Sequence, residues 1–261
     1  MGIRSRAARL RRALGPPPVP PPDPSAPVQP PLESMITDAE RRVIDEVRMH
    51  TMISTERLLA NMDAVEYVVR RGVPGALVEC GVWRGGSVAA MIRVLQRLGV
   101  EDRDVYLYDT FSGMTEPEEV DTSPLEPPAT VTWQTTPEGR KPWRWAFDPA
   151  IYDEQTVREF VLSTGYPAQR VHLVRGPVEE TLPAHAPDRL ALLRLDTDWY
   201  RSTLHELEHL YPRLSPGGVL IVDDVGHWDG ARKAVDEYFS TSAPPIMLSR
   251  TDYSGRLGVK H

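Results

Sequence analysis

The chain has 261 residues, of which 41% are apolar, enough for one large domain with a substantial core. Its net charge is −7, and five arginines precede residue 15, so the rest of the chain is more acidic still. An acidic body argues against nucleic acid as the main partner. The single cysteine, Cys80, excludes an intrachain disulfide and a cysteine-rich zinc site, and it is typical of the reducing cytoplasm.

The first 32 residues are predicted to lie outside the folded domain. The stretch MGIRSRAARLRRALG is basic but lacks the uninterrupted apolar run of a signal peptide or a membrane-spanning helix. The stretch PPPVPPPDPSAPVQPP, residues 16–31, fixes φ repeatedly and removes amide donors, which predicts an extended, flexible tether. We therefore place the domain at residues 33–261 and expect no membrane span.

Helix-like and strand-like segments alternate after the tether, which predicts an α/β fold with a doubly wound, mostly parallel sheet. Two helices come before the first strand. The strands are expected at residues 76–81, 105–109, 171–176, 190–196 and 218–224, with helices between them. A helix at 227–242 and a β-hairpin turning at Tyr253 to Gly255 follow. In open sheets of this kind, ligands bind beyond the carboxyl ends of the strands.

The first strand ends in a glycine-rich loop, VECGVWRGGSV, residues 78–88. Its glycines, at 81, 85 and 86, let the backbone approach a ligand closely, and Ser87 can cap the helix that follows. Trp83 stands where a dinucleotide fingerprint requires its second glycine, so the loop argues against NAD. Taken alone, the loop is also compatible with a tight turn that binds nothing.

Two further strand ends carry candidate nucleoside contacts. Asp109 ends the second strand, where a carboxylate can accept hydrogen bonds from both hydroxyls of a ribose. Considered by itself, an Asp at a strand tip is as often a helix cap. Gly176 ends the third strand, and the amide of Val178 with the carboxylate of Glu179 could border an adenine ring.

The fourth and fifth strands end in carboxylates, Asp196 in one case and Asp223 with Asp224 in the other. Because these strands are neighbours in a doubly wound sheet, the three carboxylates should converge, which is costly unless a cation neutralises them. Oxygen ligands of this kind suit Mg²⁺. The alternative is that one carboxylate caps a helix and another is simply solvated.

The motifs VECGVWRGGS, YLYDTFSGM, RLDTDWYRST and GGVLIVDDVGHWDGAR resemble the macrocin O-methyltransferase family over residues 49–240. The resemblance implies a Rossmann-like class I methyltransferase fold. It also implies O-methylation of sugar hydroxyls on macrolide and aminocoumarin antibiotics, with S-adenosylmethionine and Mg²⁺ as cofactors. The carboxylates are similar to the metal triad of catechol O-methyltransferases as well, but Trp199 stands where those enzymes have a lysine. That departure disfavours a phenol or catechol acceptor, which remains the alternative.

The resemblance assigns roles residue by residue. Those proposed around the cofactor are Glu79, Gly81 and Ser87 at the methionine part, Asp109 and Ser112 at the ribose, Gly176, Val178 and Glu179 at the adenine, and Thr51 and Met52 closing over it. Asp196, Asp223 and Asp224 would hold the metal, with Asp196 doubling as general base. His227 is a second candidate base, unless it only orients the substrate.

A long polar segment, residues 113–152, separates the second strand from the next helix. Its tryptophans, Trp133, Trp143 and Trp145, argue against disorder, and we interpret the segment as a lid over the acceptor. The alternative is aromatic packing against the body or a neighbouring subunit. We expect a homo-oligomer that acts on a glycosylated small molecule. A non-catalytic nucleoside-binding protein is the less favoured interpretation.

Overall fold

The computed structural model describes residues 31–137, 140, 142–143, 146–148 and 152–261. Most of the predicted tether and Trp145 lie outside the described residues. The chain divides into two units at residues 37 and 38. The described part of the first unit contains one 3-10 turn, Leu32–Ser34. The second unit, residues 38–261, contains the sheet and the other described elements.

A single seven-stranded sheet forms the centre of the second unit. Its strands are β1 (Ala76–Cys80), β2 (Val105–Asp109), β3 (Val171–Arg175), β4 (Leu190–Leu195), β5 (Leu214–Val222), β6 (Ser249–Arg250) and β7 (Arg256–Val259). They lie in the order β3-β2-β1-β4-β5-β7-β6. The first five are parallel, whereas β7 runs antiparallel to β5 and pairs with β6 in a hairpin. The doubly wound sheet and the closing hairpin are both as predicted.

Helices accompany the sheet along the chain. They are α1 (Asp38–Val47), α2 (Thr55–Arg70), α3 (Gly86–Arg97), α4 (Ala129–Thr135), α5 (Glu154–Leu162), α6 (Val178–Thr181), α7 (Tyr200–Leu210) and α8 (Asp229–Thr241). Helix α4 was not predicted, because its sequence ATVTWQT is rich in β-branched residues with low helix propensity. In the part of the chain that the structure describes, no helix is long and apolar enough to cross a membrane.

The central strands β1 and β4 are buried along their whole length. Their sequences, ALVEC and LALLRL, are nearly continuous apolar runs, as expected for strands covered on both faces. Each run contains one charged residue, Glu79 in β1 and Arg194 in β4, and these two are register partners. A fully buried pair of opposite charge therefore lies across the two central strands.

The order of the strands reverses between β1 and β4, which is where a doubly wound sheet opens a ligand crevice. Just beyond these strands, Gly81 packs against the backbone of Asp196: a Cβ on Gly81 would lie 1.8 Å from the carbonyl oxygen of Asp196. Gly81 also has a φ of +79°, which favours glycine. The two loops that follow β1 and β4 are thus in direct contact at the crevice.

We predict that Gly81→Ala destabilises the fold far more than Gly99→Ala. Both glycines have positive φ, +79° and +71°, so both substitutions carry the left-handed strain of roughly 1–2 kcal/mol. Nothing lies within 4 Å of a Cβ on Gly99, whereas the clash at Gly81 should add about 3 kcal/mol, the upper end for overpacking. Urea unfolding of both variants measures the difference, and equal losses would show that the contact with Asp196 is unimportant.

Candidate active site

A cavity of about 530 Å³ opens at the carboxyl edge of the sheet. Its lining contains most of the predicted cofactor residues, namely Thr51, Met52, Gly81, Ser87, Asp109, Gly176, Val178 and Glu179. The three predicted metal ligands and His227 line the same cavity. Two predicted cofactor residues are not among the described lining residues: Glu79 lies buried behind the loop, and Ser112 is exposed. The sequence motifs therefore converge on one site.

The glycine-rich loop connects β1 to α3. The prediction that Ser87 caps this helix is wrong, because the N-cap is Gly85 and no side chain caps the helix. The hydroxyl of Ser87 instead donates a short hydrogen bond to Oε1 of Glu79. The same Glu79 oxygen accepts from Nη1 of Arg194 at 2.6 Å. Oε2 of Glu79 is buried and has no hydrogen-bond partner within the described structure.

Asp109 closes the base of this loop. Its Oδ2 accepts from the backbone amides of Val82 at 2.8 Å and Trp83 at 3.0 Å, and its Oδ1 accepts from the amide of Phe111 at 2.8 Å. The hydroxyl of Tyr152 donates a short hydrogen bond to Oδ1. Burial raises the pKa of Asp109, and these hydrogen bonds oppose the shift. A loop separates Asp109 from α4, the next helix along the chain, so Asp109 does not cap a helix.

The third strand contributes the residues predicted to border an adenine. Gly176 has a φ of +133° and lets the chain turn from β3 into α6. Helix α6 begins at Val178, which is buried, and Glu179 follows it. The carboxylate of Glu179 lies 4.0 Å from Nε of Arg201. These residues line the cavity next to Asp109, whose backbone carbonyl accepts from the amide of Gly176 at 2.9 Å.

Carboxylates dominate the opposite side of the cavity. One oxygen from each of Asp196, Asp223 and Asp224 lies within 4.8 Å of the others, so the three could hold a metal ion together. Asp198 lines the cavity beside them. Burial raises the pKa of Asp196 and of Asp224 well above the ordinary value, and repulsion from neighbouring carboxylates adds to it. Burial likewise raises the pKa of Asp198 to about 7.

Two arginines that the sequence analysis did not single out partly neutralise this cluster. Arg194 is fully buried and donates from Nη1 to Asp196 at 2.8 Å and from Nη2 to Asp223 at 2.6 Å. Arg57, on α2, makes a short ion pair with Asp223 and lies 3.0 Å from the carboxylate of Asp252 in the C-terminal hairpin. The predicted convergence is therefore correct, but part of the neutralising charge comes from the protein itself.

Tryptophans form the wall next to the carboxylates. Trp199 is buried, with its ring 4.9 Å from that of Trp228 and 6.0 Å from that of Trp143 of the 113–152 segment. Nε1 of Trp228 donates to Asp198 at 2.8 Å, and Nε1 of Trp199 donates to the carbonyl of Thr115 at 3.0 Å. The segment thus contacts the body through aromatic packing. Whether it acts as a lid stays a prediction.

His227 lies at the mouth of the cavity. Its Nδ1 is 3.0 Å from the hydroxyl of Tyr253, and its Nε2 is 3.9 Å from the carboxylate of Glu126. Burial lowers the pKa of His227, although Glu126 opposes the shift. The ring is thus biased towards its neutral form at neutral pH, which is compatible both with a base and with a group that orients the substrate.

A residue of the 113–152 segment fixes the loop that carries Asp196. Buried Asp121 accepts hydrogen bonds from the amides of Glu118 and Tyr200, both at 2.7 Å. Tyr200 is the first residue of α7, so Asp121 accepts a hydrogen bond from the amino terminus of this helix. Nothing in the spacing of Asp121 along the chain signalled this contact.

We predict that Arg194→Met costs roughly 3–5 kcal/mol of unfolding free energy, because it leaves buried carboxylates without their cation. The matched control is Arg170→Met, which removes a half-exposed pair with Asp104 and should cost at most about 1 kcal/mol. The penalty at Arg194 should shrink towards pH 5, where the carboxylates take up protons. Urea unfolding at two pH values measures this, and a pH-independent loss would contradict it.

Several known proteins are similar to this chain over most of its length. The family described as Macrocin-O-methyltransferase (TylF) matches residues 33–256. A 4'-O-methyltransferase of a rhamnosyl-tetracenomycin from Streptomyces olivaceus is 37% identical over 79% of this chain and 74% of its own length. Demethyldecarbamoylnovobiocin O-methyltransferase from Streptomyces niveus is 37% identical over 72% of this chain and 67% of its own length. The structure of the O-methyltransferase NovP is similar with a TM-score of 0.67 at 32% identity, covering 81% of this chain and 82% of that one.

These matches confirm the resemblance, the class I fold and the enzymatic class that the motifs predict. They imply S-adenosylmethionine as the methyl donor. The chain belongs to the macrocin O-methyltransferase family and is an O-methyltransferase.

Proposed function

We propose that this enzyme methylates a hydroxyl of a glycosylated natural product, such as a deoxysugar on a macrolide, an aminocoumarin or a similar antibiotic. The observation that carries the proposal is the single cavity in which a nucleoside-type loop faces a cluster of four carboxylates beside a tryptophan wall. The relative from Streptomyces olivaceus supports the substrate class, since its name places the methyl group on a rhamnosyl unit.

The loop side of the cavity suits S-adenosylmethionine. The unpartnered, buried Oε2 of Glu79 is an acceptor that the ammonium of the methionine part could satisfy. Gly81 and Gly86 let the loop pack closely on its neighbours, since a Cβ would lie 1.8 Å from the carbonyl oxygen of Asp196 and 2.5 Å from that of His50, respectively. We propose that Asp109 binds the ribose and that Val178 with Glu179 borders the adenine. The many carboxylates of the cavity also favour the positively charged sulfonium.

The carboxylate side suits a hard divalent cation. With Glu79 and Asp198 included, five carboxyl groups lie around only two arginines here, so acidic groups outnumber cations. Oxygen donors within 4.8 Å of one another are what Mg²⁺ prefers. We propose that Asp196, Asp223 and Asp224 hold it, and that when bound it lowers the pKa of the acceptor hydroxyl.

Asp196 is the best placed general base of the three. Both oxygens of Asp223 are engaged by Arg194 and Arg57, and its side chain is only 2% exposed. Asp196 uses Oδ2 for Arg194 and remains 24% exposed towards the cavity. In the reaction, the acceptor oxygen forms a bond to the methyl carbon as the carbon–sulfur bond breaks, and Asp196 takes the hydroxyl proton. His227 is the second candidate for that proton.

The tryptophan wall is the proposed acceptor surface. Trp199 and Trp143 offer flat apolar faces to a sugar ring or an aglycone, and the 113–152 segment would exclude water from the transfer as a lid. The same faces could stack on a phenol, so an O-methyltransferase acting on phenols is the second candidate. Against it, the position of the catechol-type lysine is filled by buried Trp199, which cannot accept a proton.

A panel of glycosylated and phenolic acceptors with labelled S-adenosylmethionine tests the substrate class. We expect turnover with glycosides and at least about 100-fold less with matched phenols. A phenol would hold its hydroxyl out of line with the methyl group, and a misplacement of about 1 Å can cost about 100-fold in rate.

Asp196→Asn should keep binding of S-adenosylhomocysteine and lose nearly all turnover, while the exposed control Asp188→Asn keeps both. Faster turnover of the phenols would replace the proposal by its alternative, and an active Asp196→Asn enzyme would exclude Asp196 as base.

Metal binding should depend on pH in a defined direction. The pKa values of Asp196, Asp198 and Asp224 are raised in the fold, that of Asp198 to about 7, so their protonated forms stabilise the metal-free protein at low pH and this stabilisation is lost as pH rises through 7. Mg²⁺ competes with these protons. Its affinity should therefore increase about 10-fold between pH 6 and pH 8 through displacement of a proton from a group with a pKa of about 7, such as Asp198.

The measurement is the melting temperature with chelator and with Mg²⁺ at both pH values. Without metal it should fall from pH 6 to pH 8, and the gain on adding Mg²⁺ should be larger at pH 8. Asp224→Asn should lose that gain. The control is His209→Ala, which removes a ligand from the second potential metal cluster, His205, Glu208 and His209, and should keep it. Undiminished activity after thorough chelation would contradict the metal site.

A further inference from the structure

The carboxylate of Asp109 has all its acceptor positions filled. A carboxylate offers about four lone-pair sites, two on each oxygen. Oδ2 takes the amides of Val82 and Trp83, and Oδ1 takes the amide of Phe111 and the hydroxyl of Tyr152. A ribose hydroxyl therefore finds no vacant acceptor on Asp109 in this arrangement.

The four donors differ in how readily they can leave. The three amides belong to tight backbone turns in which Trp83 and Phe111 have positive φ values of 46° and 49°, so moving them requires rebuilding a loop. Thr110 has its hydroxyl 3.5 Å from Oδ1 but donates it to the carbonyl of Gly113 at 2.5 Å. The fourth donor, the hydroxyl of Tyr152, is carried by a side chain, so a side-chain rotation can withdraw it from Oδ1 without rebuilding the backbone. It is the exchangeable donor.

Tyr152 also lies where a ligand would meet it. Its side chain is 2% exposed, yet it lines the cavity together with Asp109 and Trp83. Its ring packs edge-on against Phe147 at 5.3 Å, in the same segment whose Ala146 carbonyl accepts from Nε1 of Trp83 at 2.6 Å. The end of the 113–152 segment is thus attached to the nucleoside loop at two points.

We propose that the hydroxyl of Tyr152 occupies the position of a ribose hydroxyl in the ligand-free enzyme and leaves Asp109 when the nucleoside binds. The inference rests on the proposed assignment of Asp109 to the ribose. It makes Tyr152 a positioning residue, which keeps the buried carboxylate satisfied until a ligand diol replaces it. Because Tyr152 also ends the 113–152 segment, the exchange links occupancy of the ribose site to the position of that segment.

The test compares Tyr152→Phe with the unmodified enzyme by calorimetry, using adenosine and 2′,3′-dideoxyadenosine as probes. Adenosine should bind the variant roughly 10-fold more tightly, because its diol no longer competes with a protein hydroxyl for a charged acceptor. Dideoxyadenosine cannot replace the hydroxyl, so its affinity should be the same in both proteins. The matched control is Tyr166→Phe, which removes a buried hydroxyl bonded to the carbonyl of Arg103 at 2.8 Å and should leave both affinities unchanged.

The outcomes separate the inference from the function on which it rests. Failure of the unmodified enzyme to bind S-adenosylhomocysteine would refute the proposed cofactor site itself. Binding of S-adenosylhomocysteine with equal adenosine affinity in the enzyme and Tyr152→Phe would overturn only the exchange. Equal gains for adenosine and dideoxyadenosine would also overturn it, since they would mean that the Tyr152 hydroxyl obstructs the cavity for any nucleoside and does not compete with the ribose diol for Asp109. A lower melting temperature of the ligand-free variant, restored by adenosine, supports the exchange.

Discussion

The guanidinium of Arg194 links the strands at the carboxyl edge of the sheet, where the active-site cavity lies. From the carboxyl end of β4 it reaches Glu79 on β1 at 2.6 Å, Asp223 after β5 at 2.6 Å and Asp196 just beyond its own strand at 2.8 Å. One buried cation therefore ties the ends of the three central strands. A charge buried without partners costs several kcal/mol, so the positions of all three carboxylates follow from the need to satisfy it. The methyl-donor side and the acceptor side share this cation.

The cluster nevertheless stays short of positive charge. Arg57 adds a second cation and links α2 and the C-terminal hairpin to Asp223, but Asp198 and Asp224 lie in the same low-dielectric region without an arginine of their own. The pKa values of Asp198 and Asp224 are raised because too few positive charges surround them, so binding a proton is favoured. A site of this kind accepts a divalent ion or a sulfonium with little rearrangement. The arginines hold the carboxylates in position, and the carboxylates in excess of the arginines are the groups that can bind a cation or accept a proton.

Much of this could be predicted from the sequence because polar residues stand out where apolar strands end. Asp109, Asp196, Asp223 and Asp224 were found in this way, and parallel strands bring such ends to one edge. Arg194 stood out less clearly, as a charge inside an apolar run, and its partners could not be named without the strand order and register. Nothing in the sequence marked Arg57 or Tyr152 as site residues, because each reaches the site from a distant segment. Ser87 was assigned to a helix cap that Gly85 provides, since its hydroxyl had a buried carboxylate nearer at hand.

The choice of Asp196 as base follows from what its neighbours can do. Arg57 and Arg194 have pKa values raised by the surrounding carboxylates, so neither accepts a proton near neutral pH. Trp199, at the place of the catechol-type lysine, has no basic atom. The proton of the acceptor hydroxyl must therefore go to a carboxylate or to His227. Arg194 binds one oxygen of Asp196 and leaves the carboxylate facing the cavity, whereas Asp223 has both oxygens engaged. The buried arginine thus orients the base as well as balancing its charge.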